Sequence, residues 1–243
     1  MQPPEVFVVR DHDLLLEAVG ARLVTSLVDH INGRGSAALL IDTDPLITEV
    51  LARLSIGSVG STVDWEQVSV WAARSSGREL LGATAAALTS LGVLDQKTHF
   101  VQGSVDLGAV DVSERYAAEL RKARGLDDHG AVPAFDIALL TIGETGSVAG
   151  LHPKRPTAYD AGAVTVDPVS GEVTLTLTAL STAREVWLLG VGKRVAPGVH
   201  LALTGGPLQV PAAGARGQAR TLVLLDDPAA SALPSSLRRL ASP

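Results

Sequence analysis

The chain of 243 residues contains no cysteine and a single methionine. Disulfides, thiolate metal sites and cysteine nucleophiles are therefore excluded together, and any metal would have to be held by His and carboxylates. Aromatic residues make up 3%, and the formal charge is −6 with a pI near 5.5. The sequence thus offers neither the basic footprint nor the stacking platform that nucleic acid requires. No stretch approaches the roughly 20 unbroken apolar residues of a membrane span. The opening MQPPEVFVVR has no basic segment followed by an apolar one, so a cytoplasmic protein without a targeting peptide is expected. With 46% hydrophobic residues and a mean hydropathy of +0.27, the chain can bury a full core, and one globular domain over 1–243 is expected.

Apolar runs alternate with helical patterns throughout, which predicts an α/β protein with a mainly parallel sheet. Strands are expected at Val6–Val9, Ala37–Ile41, Val68–Trp71, Thr98–Val101, Phe135–Ile142, Val164–Asp167, Val173–Leu177, Glu185–Leu189 and Thr221–Leu225. Leu16, Val19, Leu23, Leu27 and Ile31 recur at spacings of three and four, predicting a long helix that stops at Gly33 and Gly35. Asp44-Pro45 reads as an N-cap followed by proline in the first turn, opening a helix over Leu46–Leu54. Further helices are predicted over Glu79–Leu91 and Ser113–Arg124.

Ligands of open α/β sheets bind beyond the carboxyl ends of the strands, so the loops after Ile41, Trp71 and Ile142 are the places to look. The first carries Asp42 and Asp44 at a helix start. Their charge opposes a bound phosphate by about 1–4 kcal/mol, more than the roughly 0.3–2 kcal/mol a helix terminus offers. The Asp-x-Asp pair suits either helix capping or a divalent cation, and no third ligand lies nearby in sequence. Histidines at 12, 30, 99, 129, 152 and 200 show no zinc spacing, and no Gly-x-Ser-x-Gly elbow occurs. No metal or cofactor is expected.

The run Phe135-Asp136-Ile137-Ala138-Leu139-Leu140-Thr141-Ile142-Gly143-Glu144-Thr145-Gly146-Ser147-Val148-Ala149-Gly150-Leu151-His152-Pro153 resembles the F-D-x-x-L-L-G-x-G-x-D-G-H-x-A-S-L-F-P signature of 6-phosphogluconolactonases. Matches continue through Val63–Val68, Val173–Leu180, Ala183–Leu188, Val210–Ala213 and Leu225–Ala230, covering nearly the whole chain in order. The resemblance implies the fold shared with glucosamine-6-phosphate isomerases, a three-layer α/β sandwich with a Rossmann-like, mostly parallel (NagB-like) sheet. It also implies opening of 6-phosphoglucono-1,5-lactone by water, activated by the motif His and without metal.

The chemical positions of that family depart here. Ser147 stands at the base His and Thr145 at the neighbouring Asp, while Gly143 and Gly146 keep the loop. A serine has no group near pKa 7 to take a proton, and loss of a base commonly costs about 10²–10⁴-fold. The glycine-rich phosphate loop aligns with Thr43-Asp44-Pro45-Leu46, and the D-E-R motif with Arg74-Ser75-Ser76. The phosphate-binding Arg falls on Glu172 and the late Lys on Val195, beside Lys193 and Arg194. Two readings follow. In the first, the chain is a catalytically degenerate member acting in binding, regulation or assembly, with a sugar phosphate resembling 6-phosphogluconate or an enzyme of the oxidative pentose phosphate pathway as partner. In the second, it is a working lactonase with His152 as displaced base and Lys154, Arg155, Lys193 and Arg194 holding phosphate.

Overall fold

A computed structural model describes residues 3–101, 108–124 and 132–238. Seven parallel strands form the central sheet: β1 (Glu5–Val9), β2 (Ala37–Ile41), β3 (Val68–Ala72), β4 (Thr98–His99), β5 (Ile137–Thr141), β8 (Glu185–Gly190) and β9 (Arg220–Asp226). Their order is β1-β9-β8-β5-β2-β3-β4. The remaining strands, β6 (Val164–Val166) and β7 (Val173–Leu175), pair antiparallel as a separate ribbon.

The strand side chains alternate between two apolar layers with period two. Leu39, Ile41, Leu139, Trp187, Leu189, Leu222 and Leu224 meet α1 (His12–Arg34), α2 (Pro45–Ile56) and α3 (Arg78–Leu91) on one face. On the other face Leu40, Leu140, Val186, Leu188, Val223 and Leu225 meet α4 (Ala109–Ala123), α5 (Leu177–Leu180), α6 (Ala196–Thr204) and α7 (Pro211–Gly214). Central strands covered on both faces read as continuous apolar runs, and this is what ALLI and IALLT display.

Local chemistry sets the helix ends. The Asp11 side chain accepts from Leu14 N at 3.0 Å, and α1 stops at Gly35, whose φ of 80° suits glycine. The Asp44 side chain accepts from Leu46 N at 3.0 Å, with Pro45 at the first position of α2.

Several predicted boundaries differ. The expected strand Val173–Leu177 ends at Leu175 because the Thr176 hydroxyl caps α5, accepting from Ala179 N. The expected strand Thr98–Val101 is only two residues long at the sheet edge, and the charged helix begins earlier, at Ala109. α6 and α7 were not expected from the sequence; each carries a proline in its first turn, where the missing N–H costs nothing. Finally, β6 and β7 stand outside the parallel sheet. Among the described residues no helix is long and apolar enough to cross a membrane, and no three metal-binding side chains gather.

Candidate functional site

Parallel strands present all their carboxyl ends at one rim. There β2 runs into Asp42-Thr43-Asp44 and β3 into Ala73-Arg74-Ser75, with Ile41 beside Ala72 in register. The β6–β7 ribbon is laced to this edge: Ser75 N donates to Val173 O at 2.7 Å and Leu175 N to Ala73 O at 2.8 Å. That lacing brings Glu172 to Arg74.

Arg74 is enclosed by acceptors. Its Nε donates to Asp42 Oδ1 at 2.5 Å, Nη1 to Glu172 Oε1 at 2.7 Å and Nη2 to Thr43 O at 3.1 Å, while Asp44 Oδ2 lies 3.8 Å from Nη2. The Thr43 hydroxyl donates back to Arg74 O at 3.0 Å. Asp42 is 1% exposed, and its other oxygen accepts from the Thr141 hydroxyl at 2.7 Å. Burial alone would loosen the Arg74 proton; Asp42 and Glu172 outweigh it and raise the guanidinium pKa above its ordinary value. Burial pushes the Asp44 carboxyl up, and the charge of Asp42 pushes it further. One cation thus faces three carboxyl groups, a surplus of negative character where a phosphate would be attracted only by positive charge.

The loop after β5 closes on itself. Gly143 N donates to Ser147 O at 2.9 Å and Gly146 N to Gly143 O at 3.0 Å. Gly146 has φ 80°, and a Cβ there would stand 2.6 Å from Val210, so this glycine serves packing. Ser147 is partly buried in this turn. Gly150, also left-handed at φ 76°, lies against the cage: a Cβ would meet Glu172 Oε2 at 2.9 Å. Among the described residues no histidine hydrogen-bonds to any member of the cage.

His152, Lys154 and Arg155 line a separate cleft of about 960 Å³ with Glu144, Thr145, Leu201 and Val210. The Arg155 guanidinium is engaged by Asp167. Burial on its own would raise the Asp167 carboxyl; the N–H groups of Ser170 and Val169 and the Arg155 guanidinium outweigh it and hold it at about 2. Arg194 pairs with Glu144 at 2.6 Å, and Lys193 is exposed without an ion pair among the described residues. Neither lines the cleft. Of the displaced-site residues, His152, Lys154 and Arg155 come together, whereas Lys193 and Arg194 are not part of that lining; Ser147, at the family's base position, is not part of it either. His129 lies outside the described residues. Sequence reasoning missed Asp42, Thr141 and Gly150 as members of the Arg74 enclosure; an Asp and an Arg leaving two adjacent strands were the available signal.

The strand order and the three layers define a three-layer α/β sandwich around a mostly parallel sheet, with the loops after its strands gathered at one rim. The family profile described as glucosamine-6-phosphate isomerases/6-phosphogluconolactonase matches residues 10–224, and the chain belongs to this family. A 6-phosphogluconolactonase of Streptomyces coelicolor is 37% identical over 251 residues, covering 96% of each chain. One from Mycobacterium tuberculosis is 32% identical, covering 93% of this chain and 96% of its own. The solved 6-phosphogluconolactonase of Trypanosoma brucei superposes with a TM-score of 0.80 at 18% identity, over 95% of this chain and 99% of that one. A monomeric glucosamine-6-phosphate deaminase gives 0.72 at 17% identity, over 94% and 99%.

Proposed function

We propose that this chain is a 6-phosphogluconolactonase-family protein whose hydrolytic site is out of use, and that it serves in the cytoplasm as a binding, regulatory or assembly protein. The observation that carries this reading is the enclosure of Arg74 by Asp42, Glu172, Asp44 and the Thr43 carbonyl. Three of the five Arg74 N–H groups are taken by internal acceptors, and the carboxyl groups of Asp42, Asp44 and Glu172 around it oppose a bound phosphate. Ser147 at the position of the family base supports the same conclusion, since no proton acceptor stands there. The partner is then a sugar phosphate resembling 6-phosphogluconate, held weakly, or an enzyme of the oxidative pentose phosphate pathway.

A second reading, a working lactonase, is favoured by one observation: His152 shares its cleft with Lys154 and Arg155. Hydrolysis of freshly generated 6-phosphogluconolactone decides between them. The expected result is a rate indistinguishable from spontaneous opening, with no heat of 6-phosphogluconate binding at sub-millimolar ligand. A rate like that of an active family enzyme, abolished in His152→Ala, would establish the second reading instead.

A further inference from the structure

The cleft beside the β5 loop differs in chemistry from a sugar-phosphate site. Pro153, Leu201, Leu208 and Val210 form one apolar wall, facing the polar groups of Thr145, His152 and Gln209. Leu208 is 78% exposed and Leu201 37%, so the apolar surface lies open at the mouth. A polyhydroxylated sugar would leave this apolar wall without apolar partners. The charges at the edge largely cancel: Arg155 is taken by Asp167, and Glu144 by Arg194. Lys154 remains, a cation without an ion pair among the described residues.

Lys154 also holds a left-handed backbone, φ 64°, one of two non-glycine residues that do so among the described residues. Side chains with a Cβ rarely stay there without a surrounding structure that fixes them. The volume of about 960 Å³ falls within the range of small-molecule sites.

We propose that this cleft binds a small amphipathic organic anion, its apolar body against Leu201, Leu208, Val210 and Pro153 and its carboxylate or sulfonate on Lys154. The inference rests on the reading that the Arg74 enclosure has closed the phosphate site, which leaves this cleft as the open part of the rim. The apolar walls supply the attraction as they leave water, and the lone ammonium orients the head.

The test is titration of the full chain with 8-anilinonaphthalene-1-sulfonate, read by fluorescence, with octanoate and 6-phosphogluconate as competitors. Saturable binding is expected, displaced by octanoate and not by 6-phosphogluconate at equal concentration. Lys154→Gly removes the cation and relieves the left-handed backbone, so it should weaken dye binding about fivefold while Tm holds or rises. Lys154→Arg should stay within about twofold, since the charge is kept. Leu208→Asp should weaken binding about tenfold, by placing a charge on the apolar wall. Wild-type dye binding in both Lys154→Gly and Leu208→Asp would overturn the proposal, as would displacement by 6-phosphogluconate. Lactone hydrolysis above the spontaneous rate that persists under saturating octanoate would instead remove the closed-site reading and leave the cleft's ligand class standing.

Discussion

At the scale of single residues, the Arg74–Asp42 pair decides most. Asp42 is buried and Arg74 supplies its counter-charge, so Arg74→Leu should destabilise the fold by about 3 kcal/mol in urea denaturation, because a buried carboxylate is left uncompensated. Asp42→Asn combined with Arg74→Leu should lose clearly less than the sum of the two single variants; strict additivity would mean that the two side chains do not act as a pair. Asp167 gives a pH-dependent counterpart. Its carboxyl, at about 2 in the fold, lies below the unfolded value of roughly 3.9, so its contribution is present above pH ~4 and is lost as pH falls through ~2. Asp167→Asn should flatten that part of the acid-unfolding curve, and an unchanged slope between those pH values would contradict the assignment. Asp42, Asp44 and Glu172 were legible as negative charges at positions where the resemblance implies neutral or basic groups. Their convergence on Arg74 was not, because Glu172 reaches it only through the lacing of the β6–β7 ribbon to the end of β3.

Elements follow local signals where these are strong and fail to where tertiary contacts intervene. The α1 and α2 caps were readable from Asp11 and Asp44-Pro45, and the covered strands from their unbroken apolar runs. The ribbon was not, since Val164–Val166 and Val173–Leu175 have the same composition as sheet strands, and only its pairing to itself separates them. Asp136 provides the sharpest test at this scale. It accepts from Ala38 N at 2.8 Å and from the Arg34 guanidinium, joining the starts of β2 and β5 to the end of α1. Asp136→Ala leaves a backbone donor and a cation without their acceptor and should cost about 2–3 kcal/mol. Asp11→Ala removes one cap at an exposed helix start and should cost about 1 kcal/mol. Denaturant midpoints in the reverse order would show that this tie carries less than its geometry implies.

For the molecule as a whole, the proposed function separates scaffold from chemistry. The family fold runs from β1 to β9, while on the proposed reading the groups that would hold phosphate and move a proton are replaced or internally bound. Restoring the base alone is therefore expected to fail. Ser147→His with Thr145→Asp should leave lactone opening at the spontaneous rate, because Arg74 stays engaged by Asp42 and Glu172. Adding Glu172→Arg, which returns the family's cation to the rim, should be needed before 6-phosphogluconate binding is detected by calorimetry. A gain from the base substitutions alone would mean that the anion site was open throughout.

The neighbours of β1 have a further consequence. Among the described residues its only sheet partner is β9, with Glu5 beside Leu222 and Val9 beside Asp226. During synthesis β1 leaves the ribosome about 200 residues before β9 and must wait for it before it can pair, and pairing over such a separation is slow. α1, by contrast, can settle on β2 as soon as both exist. The edge bearing β1 is thus the part of the sheet assembled last, and a chain arrested before residue 220 would carry an orphaned apolar strand that chaperones and proteases can recognise.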